Sequence, residues 1–334
     1  MKILKLEYYN KILNWKLEPI HFLDLTLLVG VSGVGKTRIL EAILDLKKIA
    51  NGKPQNGIEW DITFETNNSN TFRWMGKYET RGFPKTFHFE TDETKKNPPK
   101  IIFEELSLNG KKIIGRNDKS IYLEGKKTVK LSPHESVLKI LGHERKIVPV
   151  YDSFKKIIHS GHHPPPGEII FNEFEYSEGV KKYKTLRAIQ ESDLNTSIKL
   201  GLVYKNVPNV FKEIKKHFLG IFPNVENIKI EPVREEGVPS FFASYPFIQI
   251  KEKGIKNWIT QENISSGMMK TIMHLSEMYL WPHGTVILID EFENSLGVNC
   301  IDILVDDLIQ EKRKLQFIIT SHHPYIINNI RPGL

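Results

Sequence analysis

Cysteine is almost missing. Cys300 is the single one in a chain of 334 residues, so no internal disulfide can form and a reducing, cytoplasmic compartment is expected. Long apolar runs are missing as well. No stretch approaches the roughly 18 apolar residues of a membrane helix, and the opening MKILKLEYYN carries charge where a signal peptide would be apolar. There is no repeat, no low-complexity linker and no heptad run, which excludes a solenoid and a long coiled-coil arm. A zinc arrangement of the H-x-E…C-x-x-C kind is absent, and so is a convincing nuclease-like carboxylate cluster beyond Asp290 and Glu291. With 40% hydrophobic and 26% charged residues, what remains is a soluble globular protein. Its length suits roughly two to three domains, or one domain with a large insertion.

Lys and Arg number 47 against 40 Asp and Glu, a net charge of +7. That is compatible with a nucleic-acid partner and equally with scattered surface lysine. The basic clusters are short, as at Lys47-Lys48, Lys181-Lys182 and Lys312-Arg313-Lys314, and none alternates with aromatics as a base-stacking surface would.

Residues 1–30 read as strands, ending in an apolar run from Phe22 to Val29. KTRILEAILDLKKIA over 36–50 has helical spacing, with Ile39/Ile43 and Leu40/Leu44 on one side and Asn51-Gly52 as a stop. From about 58 to 131, turn signals at Asn67-Asn68, Asn109-Gly110, Asn117-Asp118 and Glu124-Gly125 separate short strands, as in an antiparallel meander. Ser132-Pro133 predicts a helix start, an N-cap followed by proline. His162-His163-Pro164-Pro165-Pro166-Gly167 reads as a rigid surface turn; a metal site with His159 would need a Cys or a carboxylate pair to complete it. Helix predominates over 187–218 and strand over 225–252; helix, strand (286–290), helix (301–311), strand (315–320) and a helical turn follow. The division expected is 1–131, an N-terminal lobe with an antiparallel β-subdomain; 132–256, a helical/β insertion; and 257–334, a C-terminal α/β lobe.

The strongest chemical feature is Gly30-Val31-Ser32-Gly33-Val34-Gly35-Lys36-Thr37. It fits G-x-x-x-x-G-K-[ST] between an apolar strand and an amphipathic helix, which is the context the motif requires. Glycines let the backbone curl so that its N–H groups face phosphates, and the helix N-terminus adds positive potential. Lys36 would reach the β- and γ-phosphates and the Thr37 hydroxyl would bind Mg2+; Arg38 completes the phosphate-binding stretch. Next comes Thr285-Val286-Ile287-Leu288-Ile289-Asp290-Glu291, a buried parallel strand ending in two carboxylates. Asp290 would hold magnesium, directly or through water, and Glu291 would polarise the attacking water as general base.

Two further stretches stand in order behind the phosphate loop. Ile264-Ser265-Ser266-Gly267-Met268-Met269-Lys270 opens a helix whose Ser/Gly end offers hydroxyls and N–H groups to an anion. Phe317-Ile318-Ile319-Thr320-Ser321-His322-His323-Pro324 is a buried strand ending at a histidine. Singly, these would read as a plain N-cap and a loop histidine.

Together these motifs resemble the ABC-type ATPases in their non-transporter branch. That branch holds the SMC-like and RecF-like chromosome and repair ATPases, and the OLD-like and Septu-type ATPases of phage defence. GVSGVGKT looks like the Walker A, ISSGMMK the signature, VILIDE the Walker B, Asn294-Ser295-Leu296 the D-loop and TSHHP the switch-histidine loop. The resemblance covers roughly 1–50 and 257–330, and the wording ENSL and TSHHPYIIN is nearer to the defence ATPases than to transporters. The D-loop continues as Gly297-Val298, where many relatives have His-Pro. Ser132 to Ser136 stands where the family's γ-phosphate-sensing glutamine loop is expected, without a glutamine. Tyr8, Tyr9 and Trp15 are candidates for stacking on adenine, with core packing as the competing role.

The resemblance implies an α/β P-loop NTPase: an ABC ATPase head with a mixed or parallel core sheet, an antiparallel β-subdomain and a helical insertion. It implies ATP and Mg2+ as ligands, and a homodimer in which Ser265, Ser266 and Gly267 of one chain, with Ser295, complete the site of the other. Glu291, His322 and Lys36 would be the catalytic set. The interval from Lys36 to Ser265 is longer than a compact transporter ATPase uses, and the chain stops soon after the switch loop. The resemblance to the defence ATPases implies a sensor or regulatory ATPase of an antiphage system, with its nuclease-type effector expected on a separate protein. The competing expectations are a DNA-repair or chromosome ATPase acting directly on DNA, and a transporter ATPase, which would bring a membrane partner.

Overall fold

A computed structural model describes residues 1–67, 69–82, 98–160, 173–232, 246–294, 296, 298–310 and 314–324. Its centre is a parallel sheet of four strands in the order β10 (Ile157–Ser160), β14 (Val286–Ile289), β15 (Gln316–Ser321) and β3 (Leu25–Val29). Every residue of β14 and β15 is buried, as the apolar VILI of β14 and FII of β15 predict for strands covered on both faces. Alternation sorts their side chains between two cores. Val286, Leu288 and Ile318 join one hydrophobic cluster, and Ile287, Ile289, Phe317 and Ile319 join the other.

On the first face lies α1 (Lys36–Ala50), which buries Leu40, Ile43, Leu46 and Ile49. Beyond it stands an antiparallel sheet of eight strands, ordered β2 (Trp15–His21), β1 (Lys2–Asn10), β4 (Ile58–Glu65), β5 (Thr71–Tyr78), β6 (Ile101–Leu108), β7 (Lys111–Asn117), β8 (Ile121–Leu123) and β9 (Lys126–Lys127). The period-2 pattern of β4 buries Ile58, Trp60, Ile62 and Phe64. Opposite Trp60 in register is Gly76, where a Cβ would lie 2.3 Å from the indole Cζ2; glycine is what lets that ring lie across β5. Two short helices close this side, α2 (Val137–Ile140) and α3 (Val148–Lys155), with Phe154 of α3 edge-on to Phe64 and Trp74.

The helix predicted to open at Ser132-Pro133 starts later. The Pro133 carbonyl accepts the Ile101 amide at 2.9 Å and the Ser132 carbonyl accepts Arg116 Nη2 at 2.7 Å, so this stretch is held as an extension of the sheet edge. Ser136 is the actual cap, its Oγ accepting the Leu138 amide at 3.1 Å.

The second face is covered by helices from mid-chain and from the C-terminal part: α4 (Glu173–Lys182), α5 (Leu186–Glu191), α6 (Thr196–Asn206), α7 (Pro208–Ile221), α8 (Ser266–Leu280) and α9 (Val298–Gln310). A small antiparallel sheet of β11 (Val225–Glu231), β12 (Phe247–Glu252) and β13 (Ile259–Thr260) packs with them. Phe211, Ile214, Phe218 and Ile221 recur at helical spacing along α7 and bury that face. Buried apolar residues from Ile189 to Ile230, with Ile248 and Ile250, thus share one hydrophobic cluster with Leu25 and the C-terminal strands. No described helix is long and apolar enough to cross a membrane. His162 and His163 lie outside the described residues.

Candidate active site

The C-terminal ends of parallel strands meet at one edge of the sheet, where ligands of open α/β sheets bind. The glycine loop leaves β3 there, Asp290 and Glu291 follow β14, and His322 follows β15. Together they enclose a cavity of about 370 Å³. Ser32, Gly33, Gly35, Lys36, Thr37 and Arg38 form one wall; Asp290, Glu291 and His322 form the other.

Gly33 and Gly35 have φ of 84° and 96°, left-handed conformations that favour glycine and curl the loop. Lys36 Nζ donates to the carbonyls of Gly30 (2.7 Å) and Val31 (3.0 Å), so its ammonium arches back over the loop. No side chain caps the first turn of α1 and no acidic residue sits in it, which leaves its amides available to an anion. Trp15 borders the loop: a Cβ on Gly35 would stand 3.6 Å from its Nε1. Tyr8 is buried and donates to Asp45 (2.8 Å), and Tyr9 donates to Asn14 (3.2 Å), so of the three aromatics Trp15 adjoins the phosphate loop.

The Thr37 hydroxyl donates to Asp290 Oδ1 at 3.2 Å, which puts two hard oxygen donors side by side, a fitting set for Mg2+. Thr320, which the sequence shows only as one residue of a buried strand, holds this corner together. Its hydroxyl donates to the same Asp290 oxygen and accepts the Glu291 amide at 2.8 Å. Glu291 has φ of 45°, left-handed for a residue with a side chain, and its carboxylate end is exposed at the cavity.

Glu293 also escaped the sequence reading. Its Oε1 accepts the His322 amide at 2.8 Å and lies 2.9 Å from His322 Nδ1, an ion-pair contact. Burial pushes the Glu293 carboxyl up, but the amide hydrogen bonds from His322 and from its own backbone, the Ser321 hydroxyl and the histidine charge outweigh it, and the group sits below the usual range. Glu293 is therefore a carboxylate. Beside it, burial lowers the Lys270 ammonium, opposed by Glu293, Glu291, Glu277 and Asp290.

Ser265 and Ser266 stand elsewhere. They are exposed at the N-terminus of α8, where Ser265 Oγ accepts the Met268 amide at 3.3 Å; neither they nor Gly267 line the cavity. Ser295 lies outside the described residues. Ser132 to Ser136 is remote from the cavity: Ser136 Oγ donates to the buried Glu104 at 2.5 Å. A larger cavity, about 800 Å³, opens at the opposite ends of the strands, but Lys47 there is bound to the Ile157 carbonyl (2.6 Å) and Lys155 to Asp152 (3.0 Å). The glycine loop and the uncapped first turn of α1 border the smaller one.

Residues 196–328 match a protein-family model described as "AAA domain, putative AbiEii toxin, Type IV TA system". No curated protein matches the chain. Among solved structures it is similar to the Smc head domain with an extended coiled coil, bound to the C-terminal domain of ScpA, from Pyrococcus furiosus. That likeness covers 98% of this chain and 91% of the other, at 15% identity and a TM-score of 0.50. The SMC head domain from Thermotoga maritima matches at 15% identity over 98% and 92%, with a TM-score of 0.44. At such identities the first likeness bears on the fold alone, and the second carries no weight of its own.

Proposed function

We propose that this chain, a P-loop ATPase with the fold of the non-transporter, SMC-like ABC-type heads, binds ATP in the cavity between Lys36 and Asp290 and pairs with a second copy around it. The observation that carries the reading is the separation of two half-sites. Each chain has one cavity lacking Ser265 in its walls and one exposed α8 N-terminus bearing Ser265 and Ser266. A two-fold pair brings each half-site onto the other's complement and closes both pockets at once. Val31 and Val34, 73% and 58% exposed on the phosphate loop, are apolar side chains that such a contact would cover.

The residues divide the chemistry. The loop amides and Lys36 bind the β- and γ-phosphates, and Arg38 adds positive charge on the first turn of α1. Thr37 and Asp290 are the residues that would hold Mg2+, whose charge supplies electrostatic stabilisation of the transferring phosphoryl group. Glu291 orients and deprotonates the attacking water, and His322 meets the γ-phosphate. Loss of that phosphate removes the anion that the partner's α8 terminus binds, so the pair loosens.

Glu291→Gln tests this directly: it should abolish turnover, retain ATP and run as a dimer on a sizing column. Ser265→Arg should bind ATP as a monomer and fail to pair. Normal ATP-dependent pairing by Ser265→Arg would overturn the composite site.

The biological role we infer is that of a regulatory ATPase in an antiphage system, relaying its nucleotide state to a separate nuclease-type effector. It rests on the likeness of the ENSL and TSHHPYIIN wording to the defence ATPases; the family model matching residues 196–328 is described by a toxin–antitoxin system and names no effector. A second reading, direct action on DNA, draws on the SMC-head fold and the net charge of +7. Tight DNA binding by the isolated protein that weakens steeply with salt would favour the second.

A further inference from the structure

We infer that Glu293 is the positioning residue of His322: it fixes both the place and the tautomer of the imidazole that faces the nucleotide pocket. The inference rests on the proposed ATPase reading for what the imidazole does, and on geometry for how it is held.

The loop after β14 is shaped to deliver this carboxylate. Asp290 and the left-handed Glu291 turn the chain, and the Phe292 amide donates to the Thr320 carbonyl at 3.1 Å. The Phe292 ring is buried against His274, with ring centroids 5.6 Å apart. Asn294 closes the turn by donating to the Glu291 carbonyl at 2.8 Å, and the Leu296 amide donates to the Glu293 carbonyl at 2.9 Å. Glu293 is left pointing at the end of β15 with its side chain 7% exposed.

There two nitrogens of one residue converge on Glu293 Oε1: the His322 amide, which donates to it at 2.8 Å, and the ring Nδ1, 2.9 Å away. The amide bond fixes the backbone just past β15, and the close approach of Nδ1 sets where the ring lies. A carboxylate only accepts, so a ring nitrogen this near to it is favourable only with a proton on Nδ1. Nε2 is then the ring atom left to the pocket, which His322 lines from a half-exposed position beside Asp290 and Glu291. In water the neutral ring has no such constraint; a carboxylate behind a histidine sets the nitrogen it presents, as in metal sites.

The test is ring 15N NMR of the full chain labelled in histidine, His322 being assigned by its loss in His322→Ala, combined with steady-state kinetics and nucleotide binding. The wild type should show His322 protonated at Nδ1. Glu293→Ala should lose that signature and lower kcat roughly 10- to 100-fold, the range seen when the residue orienting a ligand is removed, while ATP affinity stays within about twofold. Glu293→Gln, whose amide oxygen can accept both bonds, should restore the signature and most of kcat. Adding Glu293→Ala to His322→Ala should cost nothing more. A wild-type His322 protonated at Nε2 overturns the inference even if Glu293→Ala does not fold, and so does an additive double variant. Failure of the pairing reading shows separately, as a chain that stays monomeric with ATP while its histidine spectrum is as expected.

Discussion

Lys270 Nζ donates to the carbonyl oxygen of Asn294 at 2.8 Å and to that of Glu291 at 3.3 Å. The first turn of α8, which carries the exposed Ser265, is thereby tied to the loop that carries Glu291 and Glu293. An ammonium on two carbonyls is a charge-assisted contact worth about 1.5–3 kcal/mol. If two copies pair as proposed, a shift of α8 would be passed to the loop of Glu291 through this contact.

Lys270→Met keeps the aliphatic stem and removes both hydrogen bonds. ATP binding by the monomer should be unchanged, since Lys270 does not line the cavity. Turnover should fall on the order of tenfold, the equivalent of about 1.4 kcal/mol in the barrier. A single-turnover assay with saturating ATP checks this, and unchanged turnover would show that the two half-sites are not linked through this residue.

The Thr37–Asp290 contact predicts the response to metal. Wild-type ATP affinity should rise with added Mg2+ and drop when EDTA is present. Asp290→Asn removes the charge but leaves an oxygen, and should blunt the Mg2+ effect while ATP alone still binds through Lys36 and the loop amides. Calorimetric titrations of ATP with and without Mg2+ give both numbers. An Asp290→Asn chain with the full wild-type response would show that the metal sits elsewhere.

Trp15 borders the phosphate loop, next to Gly35 and 5.9 Å ring to ring from Tyr8. If adenine stacks there, Trp15→Ala should weaken ATP by about 1–3 kcal/mol, the usual worth of a base on an aromatic face. Inorganic tripolyphosphate, which has no base, should bind both proteins alike. Equal losses for the two ligands would mean that Trp15 supports the loop rather than the base.

Local pattern made much of this molecule legible. The strand, glycine loop and amphipathic run fix α1 at Lys36–Ala50, and the apolar run before Asp290 and the apolar Phe317–Ile319 before Thr320 mark the parallel strands. What was hidden depends on residues distant in sequence. Glu104 reads as one polar residue in an alternating strand, yet it is fully buried and accepts from Trp74, Ser136 and the Val137 amide beside Arg116. Ser132-Pro133 has helix-start chemistry, but the Arg116 side chain and the first amide of β6, Ile101, claim its carbonyls first. Thr320 and Gln316 did leave a trace: polar residues inside a wholly buried strand need partners. Gln316 finds both the amide and the carbonyl of Ile3, and Thr320 finds Asp290. Glu293 left none, because a carboxylate four residues past a strand end is ordinary until His322 is seen against it.

The buried Lys199 gives the protein a pH dependence whose sign can be stated. Its side chain is sealed from solvent, donates to the Gln190 carbonyl at 2.8 Å and lies 3.7 Å from the Trp281 ring centroid. Burial lowers its pKa from 10.5 to about 7, with Asp193 opposing the shift. Between those two values the unfolded chain holds a proton that the folded chain has released, so stability should rise as pH climbs through that window. Below about pH 7 the folded protein must keep the charge buried, and the cost is present in full. Lys199→Met fills the same space without a charge, at the loss of one bond to Gln190, worth about 1 kcal/mol. Urea midpoints at pH 6.5 and 9.5 should therefore differ more in the wild type than in Lys199→Met, with the wild type gaining toward alkaline pH. Equal pH responses in the two proteins would mean that Lys199 keeps its proton in the folded state, solvated by rearrangement around Gln190 and Asp193.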